Sequence, residues 1–153
     1  TKDGPRVREC PARFGAPGTQ VVLPRMKGDL VEAFLACDNG TLSEDQVAWD
    51  DDWAVSVVLT SAGYPGKYEK GKAITGIDRA AQLEGVTVYP AGTKVDENGQ
   101  RVTNGGRVLD VTAVAPTFEA ARAQAYAAVE LIDFEGKTFR TDIGMRAIKG
   151  REA

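Results

Sequence analysis

The stretch RVLDVTAVAPTFEAARAQAYAAVELI, residues 107–132, decides the fold class, because a strand pattern runs directly into a helix pattern. Near-continuous apolar residues predict a buried strand over Arg107–Ala115. Pro116 and Thr117 then open a predicted helix over Phe118–Ile132. Its expected buried stripe is Phe118, Ala121, Ala125, Ala128/Val129 and Ile132. These mostly small side chains would let the helix lie close to a sheet.

Further elements are predicted on both sides of this stretch. Strands are expected over Pro5–Cys10, Ala54–Leu59 and Val86–Tyr89, the last ending at Pro90. Asp29 is a plausible N-cap for a helix through Cys37, with an apolar face of Leu30, Ala33, Phe34 and Cys37. Asn98-Gly99 predicts a hairpin with a type I′ turn. The order β-α-β-α-β-β-β-α-β is that of an α+β protein.

The composition of the chain excludes several classes of protein and of mechanism. The 153 residues are 42% hydrophobic and 27% charged, the balance of an ordinary globular protein of about one domain. No apolar run approaches the ~20 residues of a membrane span, so no membrane is expected. The net charge of −3 argues against a nucleic-acid partner, and the absence of histidine excludes mechanisms that need an imidazole base. Cys10 and Cys37 are interpreted as free, buried thiols, which favours a cytoplasmic location.

Three features could carry chemistry on their own residues. The loop Gly63–Lys70 could cradle an anion with Lys67 or Lys70, or be a solvated loop. Arg107, after Gly105-Gly106, could bind a phosphate or carboxylate, or be a surface arginine. Glu9 beside Arg13 could be half of a metal site, or an ion pair. These residues alone indicate an α+β domain with loops that suit anions.

A more specific signal comes from ordered segments over nearly the whole chain. Gly4-Pro5-Arg6-Val7, Glu9, Ala12-Arg13-Phe14-Gly15 and Thr19–Arg25 resemble the end of the ATP-grasp domain of the phosphoribosylamine–glycine ligase (glycinamide ribonucleotide synthetase) family. The remainder resembles the C-terminal domain of that family. Its segments are Ser61–Tyr68 with Lys70-Gly71, Ala91-Gly92-Thr93, Gly105–Leu109, Val111-Thr112-Ala113, and Asp142-Ile143-Gly144 with Arg146-Ala147.

The resemblance implies an ATP-dependent ligase of purine synthesis. Glycine's carboxylate would attack the γ-phosphate of ATP to give glycyl phosphate, and the amine of 5-phosphoribosylamine would then displace phosphate. Mg²⁺ (or Mn²⁺) would accompany ATP, with Glu9 as a metal ligand and Arg13 as a catalytic residue on the same loop. The residues expected to bind the ribose-phosphate end of the substrate are Gly63, Tyr64, Gly66, Lys70 and Arg107.

The chain departs from the family pattern at three positions of one loop. Pro11 stands where the family has an Asn that completes the metal site, and Ala16 and Gly18 replace two carboxylates. Glu9 alone would leave most of a Mg²⁺ shell to water and nucleotide. We therefore expect the isolated chain to be inactive and to bind no cofactor tightly by itself.

The resemblance also divides the chain. Residues 1–50 are expected to be a remnant of an ATP-grasp domain, and residues 51–153 a C-terminal domain with a small curved antiparallel sheet, a half-barrel, closed by the long helix. The start at Thr1 without Met favours a fragment of a ligase that lacks its N-terminal and ATP-grasp domains. The alternative is a degenerate, non-catalytic paralogue that acts as a binding or assembly module. Apolar faces at Val21–Leu23 and Leu30–Phe34 could form a homodimer.

Overall fold

The computed structural model describes residue 4 and residues 6–149. Up to residue 50 its elements are short. They are α1 (Thr19–Val22), a 3-10 turn (Leu23–Arg25), β1 (Met26–Lys27), α2 (Leu30–Asn39), a second 3-10 turn (Glu44–Gln46) and β2 (Ala48–Trp49). Strands β1 and β2 pair antiparallel. The strand predicted over Pro5–Cys10 is wrong for residues 6–10, which are exposed and irregular and pair with no described strand; Pro5 lies outside the described residues.

Helix α2 begins as predicted but buries a narrower face. The Asp29 carboxylate accepts hydrogen bonds from the backbone N–H groups of Val31 at 2.7 Å and Glu32 at 3.2 Å. Ala33 and Ala36 are buried, whereas Phe34 is 51% exposed. Both cysteines are free, but they are exposed rather than buried, because Cys37 lies on the uncovered side of α2 and Cys10 lies in the irregular segment.

The rest of the chain forms one antiparallel sheet, a separate hairpin and its covering helices. The elements are β3 (Trp53–Ser61), α3 (Ile77–Ala81), β4 (Val86–Pro90), β5 (Thr93–Val95), β6 (Arg101–Thr103), β7 (Arg107–Ala115), α4 (Phe118–Leu131), β8 (Lys137–Thr138) and α5 (Met145–Lys149). The strand order of the sheet is β4-β7-β3-β8, and β5 pairs with β6. The chain is therefore a mixed helix and strand protein with small antiparallel sheets, as predicted.

Helix α4 packs on one face of this sheet with the predicted stripe. Thr117 caps its first turn by accepting from the N–H of Ala120 at 3.2 Å. The small residues Ala121, Ala125 and Ala128 are fully buried and bring α4 close to β3 and β7. The core side chains that meet there include Val57, Leu59, Val111, Ala113, Val129 and Ile132. Within the described residues, no helix is long and apolar enough to cross a membrane.

The hairpin between β5 and β6 has a different turn from the one predicted. A type I′ turn needs positive φ at both central residues, but only Gly99, with φ of 79°, has one. The Asp96 carboxylate accepts from the N–H groups of Asn98 at 2.9 Å and Gln100 at 2.8 Å. This side-chain cap holds Asn98 at negative φ, and glycine alone takes the left-handed position.

The face of the sheet opposite α4 carries polar side chains and is covered by residues 16–24. Side chains alternate along β3 and β7, so Ser56 and Thr112 point away from α4. Both are buried, and Thr112 Oγ1 donates to Ser56 Oγ at 2.9 Å. Helix α1 contacts β3 and β7. The segment of residues 16–24 thus lies over this face and leaves a cleft beneath it.

Candidate functional site

Two cavities occupy the cleft between residues 16–24 and the polar face of the sheet. The threonine cavity, of about 380 Å³, is lined by Pro17, Ser56, Val58, Thr60, Tyr64, Arg107, Thr138, Phe139, Arg140 and Ile143. The aspartate cavity, of about 420 Å³, is lined by Ala16, Gln20, Tyr64, Ala91, Gly92, Gly106, Arg107 and Asp110. Their volumes are those of small-molecule sites. Tyr64 and Arg107 belong to both cavities, so one ligand could contact both.

A β-bulge places Arg107 and Asp110 on the same side of the sheet. Two residues three apart on a regular strand point to opposite faces. In β7 the pairing shifts, since Leu59 pairs with Leu109 and Thr60 pairs with Arg107, which leaves Val108 as the extra residue. Bulges commonly re-aim side chains beside functional sites. The extra residue turns Arg107 into the cleft that Asp110 already faces.

Arg107 also joins the two regions of the chain. Its Nη1 donates to the carbonyl oxygen of Ala16 at 2.9 Å. The rest of the guanidinium remains available at the shared wall of the two cavities, where it could pair with a phosphate or carboxylate.

Asp110 lies at the buried wall of the aspartate cavity. The residue is only 4% exposed, and Gln20 Nε2 donates to its Oδ2 at 3.3 Å. Burial raises the pKa of the Asp110 carboxyl, and the nearby positive charge of Arg107 opposes that shift. The Oε1 atom of Gln20 is buried and has no hydrogen-bond partner in the described part of the chain. The wall of the cavity therefore holds a buried carboxylate with an unpartnered amide oxygen on the neighbouring Gln20 side chain.

Glycines shape the mouth of the aspartate cavity around Tyr64. Gly63 has a φ of 87°, which favours glycine, and the N–H of Tyr64 donates to the carbonyl oxygen of Ser61 at 3.1 Å. A Cβ added to Gly106 would overlap the Tyr64 ring. A Cβ on Gly66 would lie 3.1 Å from the carbonyl oxygen of Gly63. The absence of a side chain at Gly106 thus lets the Tyr64 ring pack closely against the backbone there.

The threonine cavity is mostly apolar with two charged groups. Thr60 Oγ1 and Thr138 Oγ1 are 2.6 Å apart and join strands β3 and β8. Arg140 is held by a two-bond pair with Asp142, at 2.9 Å and 2.7 Å. Because Arg140 is neutralised there, Arg107 is the better candidate for an anion.

The structure brings together some of the residues predicted from the sequence and leaves others apart. Arg107 and Tyr64 line both cavities, whereas Gly63 and Gly66 flank the Tyr64 loop and line neither. Lys70 is exposed and lines neither cavity. Arg13 is exposed, and its Nη1 donates to the neighbouring carbonyl oxygen of Phe14 at 2.9 Å. The roles assigned to these residues stay predictions.

Glu9 does not form a metal site with the rest of the described chain. It is exposed in an irregular segment. Among residue 4 and residues 6–149, no group of three or more His, Cys, Asp or Glu side chains could hold a metal ion. The residues present therefore do not fit Mg²⁺ by themselves.

Sequence reasoning missed Asp110 and Gln20. One signal for Asp110 was available, since it is the single charged residue between Val108 and Ala115 in a strand predicted to be buried. A buried carboxylate is costly and usually has a partner or a role. Gln20 carries no comparable signal, because its place under the sheet depends on a contact 90 residues away along the chain.

The α+β architecture and the cleft are those of a domain suited to an anionic small molecule, and comparison with known proteins identifies its family. Residues 54–146 match the family "Phosphoribosylglycinamide synthetase, C domain". The chain is 48% identical over 142 residues to phosphoribosylamine–glycine ligase of Nostoc, covering 92% of this chain and 33% of that protein. It is 48% identical over 149 residues to the trifunctional purine biosynthetic protein adenosine-3 of Gallus gallus, covering 97% of this chain and 15% of that protein.

A solved structure agrees with these relatives. The crystal structure of phosphoribosylamine–glycine ligase from Thermotoga maritima matches with a TM-score of 0.72 and 39% identity, over 86% of this chain and 32% of that one. The chain thus spans about a third of the ligases it resembles. It belongs to the phosphoribosylglycinamide synthetase family and corresponds to the C-terminal portion of its members.

Proposed function

We propose that this chain forms one wall of the active site of a ligase that joins glycine to 5-phosphoribosylamine with ATP, through glycyl phosphate. One observation carries this proposal: Arg107 and Tyr64 line two adjoining cavities beside glycine loops, on a sheet face covered by residues 16–24. A guanidinium with nearby backbone N–H groups suits a phosphate. In this proposal Arg107 and the Gly63–Gly66 loop hold the ribose-phosphate end, and Lys70 approaches from the rim.

In this proposal the remaining catalytic parts come from residues 1–50 and from the other domains of the ligase. We propose that residues 1–50 are the end of an ATP-grasp domain and that the sheet of residues 51–153 belongs to a half-barrel closed by α4. Glu9 would ligate Mg²⁺ (or Mn²⁺) bound with ATP, and Arg13 would act on phosphate or the substrate carboxylate. Since Pro11 has no side-chain oxygen to complete the metal shell, we expect no ligase turnover from the isolated chain. Exposed free thiols agree with the cytoplasm as its compartment.

The departures at Pro11, Ala16 and Gly18 support a second candidate function. Three polar side chains are missing from one loop while the flanking residues keep the family pattern. A non-catalytic paralogue that keeps the fold and serves as a binding or assembly module would show this combination.

Calorimetric titration with glycinamide ribonucleotide, and separately with Mg·ATP, tests the first proposal. We expect binding of glycinamide ribonucleotide without ATP, and a loss of about tenfold or more in affinity for Arg107→Gln, because a charge-assisted hydrogen bond contributes ~1.5–3 kcal/mol. Arg79→Gln, on α3, is the control and should bind normally. Failure of both ligands to bind would favour the non-catalytic module, and tight binding of Mg·ATP would contradict the placement of the nucleotide site.

A further inference from the structure

The Asp110–Gln20 pair is costly as a purely structural feature. Asp110 is buried between the fully buried residues Leu109 and Val111. A buried carboxylate carries a desolvation cost, which the hydrogen bond from a neutral amide and the nearby charge of Arg107 offset only in part. An asparagine at this position could accept from Gln20 Nε2 and also donate to Gln20 Oε1. The carboxylate instead leaves Oε1 of Gln20 buried without a donor among the described residues.

The Asp110–Gln20 pair therefore contains more hydrogen-bond acceptors than donors. Both the Asp110 carboxylate and Gln20 Oε1 accept, and both residues line the aspartate cavity. A ligand group that carries several N–H bonds and pairs with the carboxylate would supply donors where the pair has none. A primary amine or ammonium has this chemistry, and its positive charge would compensate the buried negative charge.

The positive charge of Arg107 restricts which ligands can bind in this cavity. Arg107 lines the same cavity, and its guanidinium would repel a simple cation there. A ligand with a nitrogen end and an anionic end can face each group with the opposite charge. The cavity of about 420 Å³ is large enough for a ligand of this kind, such as a sugar phosphate with a nitrogen substituent.

We propose that Asp110 and Gln20 bind the amine-bearing end of a sugar-phosphate ligand whose phosphate pairs with Arg107. This inference rests on the proposed function, which assigns the ribose-phosphate end to this wall, and adds the residues that recognise the other end. Asp110 and Gln20 act by binding and orientation and form no covalent bond with the ligand.

A comparison of two ligands tests the inference on the chain as it exists. Glycinamide ribonucleotide carries the nitrogen end, and ribose 5-phosphate keeps the phosphate and lacks that end. The wild-type chain should bind glycinamide ribonucleotide at least tenfold more tightly, because a site built for hydrogen bonds rejects a ligand that leaves them unpaired. Asp110→Asn should lose this preference and retain binding of ribose 5-phosphate.

Asp133→Asn is the matched control, since it makes the same charge change at an exposed residue. It should keep the preference of the wild type. Equal preference in the wild type and Asp110→Asn would overturn the inference while leaving the phosphate wall intact. Binding of neither ligand to the wild type would overturn the proposed function and this inference with it.

Thermal stability gives a second, independent measurement. Asp110→Asn should raise the Tm of the free chain, because the asparagine can satisfy both polar atoms of Gln20. A lowered Tm would show that the carboxylate is needed for folding and would count against a ligand role. Gln20→Met keeps the side-chain length and removes both polar atoms; it should also abolish the preference for the nitrogen end, and an unchanged preference would contradict the proposal.

Discussion

Residues 6–50 and residues 53–149 both contain a helix with an apolar face, but that face is largely exposed in the first region and buried in the second. In the first region the buried hydrophobic side chains among the described residues are Ala33 and Ala36, while Phe14, Val31, Phe34, Leu35 and Leu42 are about half exposed or more. In the second region α4 buries its whole apolar stripe against the sheet. An amphipathic pattern thus tells which face of a helix suits a partner, and the fold decides whether that partner is present.

The largest expected difference between the two regions is in how much the free energy of unfolding falls when one leucine is replaced by alanine. Leu59→Ala, at a fully buried site of β3, should lower the free energy of unfolding by about 3 kcal/mol, the cost of a cavity in a packed core. Leu35→Ala, at a site 57% exposed on α2, should change it by less than about 0.5 kcal/mol. Chemical denaturation of the two variants measures this. Similar losses would mean that α2 is packed as firmly as the sheet.

Removing the N-cap side chain of one helix in each region tests the same comparison, with a smaller expected change in stability. Removing the cap in Thr117→Ala or Asp29→Ala should weaken each helix by about 1 kcal/mol. Because α4 is part of the main core, Thr117→Ala should lower the main unfolding transition by that amount. Asp29→Ala should instead speed amide hydrogen exchange within α2 and leave the main transition unchanged. A full shift of the main transition by Asp29→Ala would show that the two regions unfold together.

The pH dependence of stability should identify the buried carboxylate at the junction of the regions. Burial raises the pKa of Asp110 above its ordinary value of 3.8, so the folded state binds this proton more tightly than the unfolded chain. This carboxyl's contribution to the free energy of unfolding is then most favourable below about pH 4 and is lost as pH rises through the raised pKa. Relative to the wild type, Asp110→Asn should gain up to about 1 kcal/mol at neutral pH and less at acidic pH, measured by denaturation across that range. A constant difference would contradict the assigned pKa shift.

The weakest expected effect is self-association through the exposed face of α2. Sedimentation at two protein concentrations should detect a homodimer in the more concentrated sample. Phe34→Ser should abolish it, because Phe34 is half exposed and its ring lies 6.3 Å from that of Phe14 in one apolar patch. Thr41→Ser, at an exposed site just beyond the helix, is the control. A monomer at both concentrations would remove this face as a dimer interface.

Elements that depend on neighbouring residues could be predicted from the sequence. The stripe of α4 and the Asp29 cap follow from spacing and side-chain type, and both are present. The Asn98-Gly99 pattern predicts the turn at the correct place but with the wrong type, since the Asp96 carboxylate holds it. The predicted burial of Phe34 and Cys37 is wrong because helical periodicity does not say how much of a face is covered.

The candidate site was only half predictable for a related reason. Arg107 and Tyr64 follow glycine-rich segments that mark functional loops, and they meet at the cleft. Gln20 reaches Asp110, and Ala16 accepts from Arg107, across about 90 residues of chain. Contacts at that separation leave no local pattern. The roles of Glu9, Arg13 and Lys70 remain predictions from family resemblance.

The extra residue in β7 has a consequence for how chain length and chemistry are coupled. Along a strand, the parity of the spacing between two residues assigns them to the same face or to opposite faces, and Arg107 and Asp110 are three positions apart. They share the cleft face because Val108 is left out of the pairing. Deleting Val108 would make the strand regular and keep the guanidinium on the cleft side, with the loss of one buried aliphatic side chain. Pairing Val108 with Thr60 in a regular strand would instead rotate the guanidinium to the side of the sheet occupied by Leu59 and α4. The unpaired residue thus decides whether the cation serves as a binding group or becomes an ion buried in hydrocarbon.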